Sequence, residues 1–96
     1  MATEKYVLVT VPSDDMIGTE QFSSYEAACT EMLSQLGEAY LADGGAHAVW
    51  ETVKGGAVHE GERLGFWIDD PETANACFKR ADGTSVRWII EKVTFD

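Results

Sequence analysis

From Phe22 to Gly45 the chain reads FSSYEAACTEMLSQLGEAYLADGG, and this stretch decides the fold. Its apolar residues recur at helical spacing. At about 100° per residue, Tyr25, Ala28, Cys29, Met32, Leu33, Leu36, Ala39 and Tyr40 fall on one arc roughly 140° wide. Glu31, Ser34, Gln35, Gly37 and Glu38 fall on the other side, and Leu41 points off the core arc. Ser23 and Glu26 have capping-box spacing, with Phe22 placed to pack on the first turn. Asp43-Gly44-Gly45 is a stop signal, because glycine readily takes the left-handed conformation that ends a helix. One long amphipathic helix is expected, with a core face and a wet face. Gly37, on the wet face, is expected to weaken it by ~1 kcal/mol relative to Ala.

The flanking segments read as strands. Lys5 to Pro12 is rich in β-branched residues and apolar on both faces, which suggests a central strand. Ser13 to Gly18 is a loop, in which Met16 and Ile17 are expected to tuck under the helix. Ala46 to Lys54 is predicted as a strand ended by Gly55-Gly56. Gly55 to Gly61 is predicted as a loop or a mobile hairpin end. Arg63 to Asp69 alternates Leu64, Phe66 and Ile68 on a core side with Trp67 facing away. Asp70-Pro71-Glu72 has the pattern of a turn or a first helical turn.

Ala74 to Arg80 and Thr84 to Phe95 flank Ala81-Asp82-Gly83, the strongest hairpin signal in the chain. A two-residue Asp-Gly turn would pair Phe78 with Arg87. A three-residue turn with Gly83 in the left-handed position would pair Phe78 with Val86, Ala76 with Trp88 and Ala74 with Ile90. The second register aligns apolar residues, so it is the one expected. Ile89, Val93 and Phe95 then occupy the other face of the last strand, which places that strand inside the sheet. The fold class is therefore α+β: one domain over 1–96, a long helix on a mostly antiparallel sheet of four or five strands, in the order β-α-β-β-β-β.

With 96 residues and 45% hydrophobic content, the chain can bury one small core. No apolar run approaches ~18 residues, and no signal-peptide pattern opens the chain. A cytoplasmic location with Cys29 and Cys77 reduced is the expectation. The net charge of −10 is unevenly placed. Between Tyr6 and Val53 there is no Lys or Arg, yet eight acids occur: Asp14, Asp15, Glu20, Glu26, Glu31, Glu38, Asp43 and Glu51. The helix has no Lys to pair with its Glu residues, so its exposed face is expected to be an unneutralised anionic surface.

Chemistry-bearing patterns are sparse. His47, His59, Glu60 and Glu62 lack metal-ligand spacing, and there is no Cys-x-x-Cys. Cys29 sits mid-helix, away from the N-terminus that would activate it. Asp69, Asp70 and Glu72 read as an acidic turn. The Gly55–Gly61 stretch lacks a phosphate-loop pattern. Lys79, Arg80, Arg87 and Lys92 cluster on the last hairpin, but the overall charge argues against direct nucleic-acid binding.

A non-enzymatic binding protein without metal or cofactor is the leading expectation. It would dock a basic surface, such as that of a nucleic-acid-binding protein or nuclease, through Asp14, Asp15, Glu20, Glu31 and Glu38. Rigidly held carboxylates can replace phosphates, and complementary fields speed association. Small phage-encoded inhibitors of host defence, anti-CRISPR-like proteins, immunity proteins and antitoxins are similar in size and charge, although no motif ties the chain to any of them. Two other classes stand beside this reading. One is a ligand-binding or enzymatic domain with a pocket around Tyr40, His47, Trp50 and Trp67. The other is an oligomerising subunit that uses Trp67 and the outer side of the last strand.

Overall fold

A computed structural model describes residues 3–61, 63–69 and 73–95. Eight elements follow one another: β1 (Thr3–Pro12), β2 (Gly18–Phe22), α1 (Tyr25–Ala42), α2 (His47–Val53), β3 (Val58–Glu60), β4 (Leu64–Asp69), β5 (Thr73–Lys79) and β6 (Ser85–Phe95). The strands form one antiparallel sheet in the order β2-β1-β6-β5-β4-β3. The fold is α+β, with six strands where four or five were expected. β1 and β6 lie inside the sheet, as their two-sided apolar character indicates.

The helix is shorter at its start than its sequence signals suggest. Phe22 ends β2, and the N-cap is Ser24 rather than Ser23. Ser24 Oγ accepts from Ala27 N–H at 3.1 Å. At the other end Gly44 takes φ +88° and Gly45 N–H donates to Tyr40 O at 2.9 Å, closing the last turn. Ala28, Cys29, Met32 and Leu36 of the apolar arc are buried. They meet Leu8, Phe66, Phe78, Trp88 and Ile90, the inward residues of four strands, in one core cluster.

Several segments depart from the sequence reading. Ala46 to Lys54 is not a strand: residues 47–53 form α2, and Trp50 is its buried anchor. Gly37 is buried, because the Trp50 indole covers it. Gln35 also leaves the wet side: it is half-buried, and its Oε1 accepts from Trp88 Nε1–H at 3.0 Å. Leu41 packs half-buried against the core. Met16 and Ile17 do not tuck under the helix, being 85% and 64% exposed. Gly55–Gly61 contains the short strand β3. The turn expected at Asp70-Pro71-Glu72 and the Phe95 side chain lie outside the described residues.

The C-terminal hairpin has the three-residue closure. Phe78 pairs with Val86, Ala76 with Trp88 and Ala74 with Ile90. Gly83 takes φ +94°. Arg80 N–H donates to Thr84 O at 2.8 Å across the turn.

Both helices lie on one side of the sheet, and no described element covers the other side. Strand alternation therefore creates an open face. It carries Lys5, Val7, Val9 and Val11 of β1, Arg87, Ile89, Glu91 and Val93 of β6, Asn75, Cys77 and Lys79 of β5, and Trp67 of β4. No helix among the described residues is long and apolar enough to cross a membrane.

Candidate interaction surfaces

The acids singled out from the sequence come to one flank of the helix layer. Gln35 marks its position, because Gln35 Oε1 lies 3.5 Å from Thr10 Oγ1 on β1. Glu31 is one turn before it, half-buried, and its Oε2 accepts from Gln35 Nε2–H at 2.9 Å. Glu38 is exposed one turn after, and with Thr10, Pro12 and Arg80 it borders a cleft of about 330 Å³. Glu20 stands opposite Leu8 on β2, the strand outboard of β1. Directly opposed residues point to the same side, so Glu20 faces the helix side of the sheet edge. Asp14 and Asp15 lie in the exposed β1–β2 turn, where Asp15 Oδ1 accepts from Met16 N–H at 2.7 Å.

Only Arg80 brings a positive charge to this flank among the described residues, with its Nη1 at 4.0 Å from Asp14 Oδ1. The other cations are elsewhere. Lys54 pairs with Glu51 at 2.8 Å, Arg63 pairs with Asp43, and Lys92 reaches Glu4 at 3.3 Å. Lys54 holds the Glu51 carboxyl below its ordinary value, chiefly by hydrogen bonding. Lys5, Lys79 and Arg87 are on the open face of the sheet. The four cations of the C-terminal hairpin thus do not share one surface: Lys79 and Arg87 face outward, Lys92 faces the helix side, and Arg80 sits at the turn.

Charge is polarised across the sheet as a result. The helix layer and its flanking turn carry Asp14, Asp15, Glu20, Glu26, Glu31 and Glu38, nearly unopposed. Among the described side chains, the open face carries Lys5, Lys79 and Arg87 against Glu60 and Glu91. A field of one sign over one flank attracts a partner of the opposite sign and raises its association rate.

The four residues of the pocket alternative do not converge. Trp67 is on the open face, Trp50 packs on Gly37, and His47 is exposed beside Glu51 at 3.5 Å. Tyr40 packs edge-on to Phe78, with ring centres 6.2 Å apart. It does line a cleft of about 300 Å³, but with Val49, His59 and Leu64 as its neighbours. A larger groove of about 430 Å³ opens on the other side of the sheet, between Trp67 and Arg87, with Asn75, Cys77 and Lys79 along it. The Trp67 ring leans over Gly65, where a Cβ would sit 3.0 Å from Cη2. Its Nε1–H donates to Glu60 Oε1 at 3.2 Å. Lys79 and Arg87 were singled out from the sequence only as part of the basic hairpin cluster and Asn75 not at all, and none of the three was assigned to this face. The signal was there, since in the expected hairpin register they alternate with Phe78 and Trp88.

The two thiols differ in burial, Cys29 being buried and Cys77 half-buried. Burial pushes the Cys29 thiol up, partly offset by a hydrogen bond with Tyr25. Cys77 lies between Gly65 and Arg87 in the sheet. Among the described residues no group of three or more His, Cys, Asp or Glu side chains is gathered as a metal set. Compared with known proteins, the chain matches no family model, no curated protein and no solved structure.

Proposed function

We propose that this protein is a non-enzymatic binding protein that docks a basic protein surface through the acidic flank of its helix layer. The partner's chemistry is that of a nucleic-acid-binding protein or nuclease, and docking blocks its phosphate-binding surface. One observation carries the reading: Glu20, Glu31 and Glu38 share a flank, with Asp14 and Asp15 at its end, and Arg80 is the one described cation beside them. Glu31 and Glu38 stand on a helix and Glu20 on a paired strand, so little backbone freedom is lost when they meet fixed cations. Neutralising a phosphate-like row of charges also releases counterions from both surfaces, which makes the affinity salt-dependent.

The test is affinity capture from a bacterial lysate, identification of the bound protein, and titration of the purified pair at increasing salt. A basic partner whose affinity falls steeply with salt is expected. The double variant Glu31→Lys/Glu38→Lys is expected to lose roughly tenfold or more in association rate. Binding that ignores both salt and the double reversal would sink the proposal.

A further inference from the structure

The open face of the sheet has a pattern of its own. Antiparallel sheets with one wet side normally turn polar residues outward. Here the two central strands turn Val7, Val9, Val11, Ile89 and Val93 outward, and all five are half-buried with no described element above them. Two exposed charges interrupt the patch, Arg87 and Glu91. They stand on either side of Ile89, and among the described residues neither has an ion-pair partner.

These positions obey a two-fold relation. Val58, Trp67, Asn75, Ile89, Val9 and Thr19 form one row across all six strands. Consider an axis lying in the plane of the face along this row. Rotation about it lays β6 antiparallel over a second β6. Ile89 then meets Ile89, Asn75 meets Asn75, and Val7 meets Val11 of the other copy. Arg87 of each copy meets Glu91 of the other, twice. We infer that the open face is the interface of a homodimer in which two sheets pack face to face about this axis.

Three physical arguments favour a second copy as the occupant. The first is charge: at −10 per chain, two copies repel through their helix layers, whereas on the open face the described cations, Lys5, Lys79 and Arg87, balance the described acids, Glu60 and Glu91. The second is the reciprocity just described, which a foreign partner would have no reason to match. The third is area. The molecule measures 47 × 28 × 16 Å, and its broad aspect, on the order of 1,300 Å², exceeds the ~800 Å² that each partner buries in a standard interface. Aligned sheets pack about 10 Å apart with a twist of some 30°, a gap that Arg and Glu side chains can bridge. The acidic flanks then face outward on both copies, so the dimer forms whether or not they dock a partner.

Charge reversal tests the register. Arg87 and Glu91 are roughly 13 Å apart along one strand, too far to pair within a chain. Sedimentation should give twice the 10.5 kDa chain mass for the native protein. Arg87→Glu and Glu91→Arg should each weaken dimerisation by about tenfold or more, because each sets like charges against one another. Mixing these two variants should restore a dimer, since position 87 of either chain then meets the opposite charge at position 91 of the other. Circular dichroism identical to native would show that both variants fold, as expected of exposed sites. A monomer at all concentrations, or a dimer indifferent to the reversals and to mixing, would overturn the inference.

Discussion

Gly37 of α1 lies directly beneath the indole of Trp50 on α2: a Cβ built on Gly37 would be 2.4 Å from Trp50 Cε2. The glycine is the socket that lets the second helix close on the first. In a solvent-facing helix, Ala in its place would add ~1 kcal/mol of stability. Here the methyl group would overlap a buried ring, and overpacking typically costs about 1–3 kcal/mol. Gly37→Ala is therefore expected to be net destabilising by on the order of 1 kcal/mol, read as a lower urea midpoint with an unchanged slope. A stabilised variant would mean that α2 does not pack there.

Gln35 is a polar residue held for its acceptor. Trp88 is 3% exposed, and its indole N–H donates to Gln35 Oε1. Gln35→Leu would keep the bulk and strand that donor away from water. The expected loss is about 1–3 kcal/mol, the range for an orphaned buried group. In a Glu31→Gln background, which avoids setting two carboxylates against each other where Gln35 Nε2–H now donates to Glu31, Gln35→Glu keeps the acceptor and should lose less. Equal losses in the two variants would show that the bond contributes nothing.

A strong apolar period made an element legible in the sequence. The helix arc, the β4 alternation and the β5–β6 register were legible because many apolar residues repeat at one spacing. Ala46–Lys54 was not: Val49, Thr52 and Val53 favour strands, and seven residues are too few to separate a period of 2 from 3.6. Trp50 packing on Gly37 decided for the helix, a tertiary contact that overrides local preference. β2 was missed because Gly18-Thr-Glu-Gln-Phe22 has one large apolar residue and holds its place by backbone pairing with β1. The acidic excess could be counted from the sequence, but its gathering on one flank could not, since Glu20 reaches the helix side only through the β1–β2 register.

Asp82 gives stability a pH dependence of known sign. Its Oδ1 accepts from Thr84 N–H at 2.9 Å and from Thr84 Oγ1–H at 2.7 Å. The hydrogen bonds from Thr84 hold its carboxyl below the ordinary value. A lowered pKa in the folded state stabilises above the unfolded value, about 3.9, and that contribution is lost as pH falls through the lower folded value. The stability gap between native protein and Asp82→Ala should be constant near neutrality and close below about pH 4. Urea midpoints measured across that range check it. A gap that widens on acidification would give the wrong sign.

Asp43 joins three parts of the fold through one carboxylate. It caps α1, pairs with Arg63 just before β4, and its Oδ2 accepts from Ala81 N–H at 2.9 Å in the β5–β6 turn. Arg63 in turn lies 5.4 Å from the Phe78 ring centre, and its Nε–H donates to Lys79 O at 3.1 Å. The Asp43 and Arg63 side chains are about a third exposed, so water screens the pair and the total loss in Asp43→Ala should be about 1–2 kcal/mol. Asp43→Asn separates the parts, because the amide oxygen can still accept from Ala81 while the charge is gone. Stability should fall in the order native, Asn, Ala. At about 1 M salt the first gap should shrink, since the Debye length is then only ~3 Å, while the second persists. If Asn and Ala variants are equally stable at both salts, the Ala81 contact does not hold the helix end to the hairpin, and the ion pair alone does so.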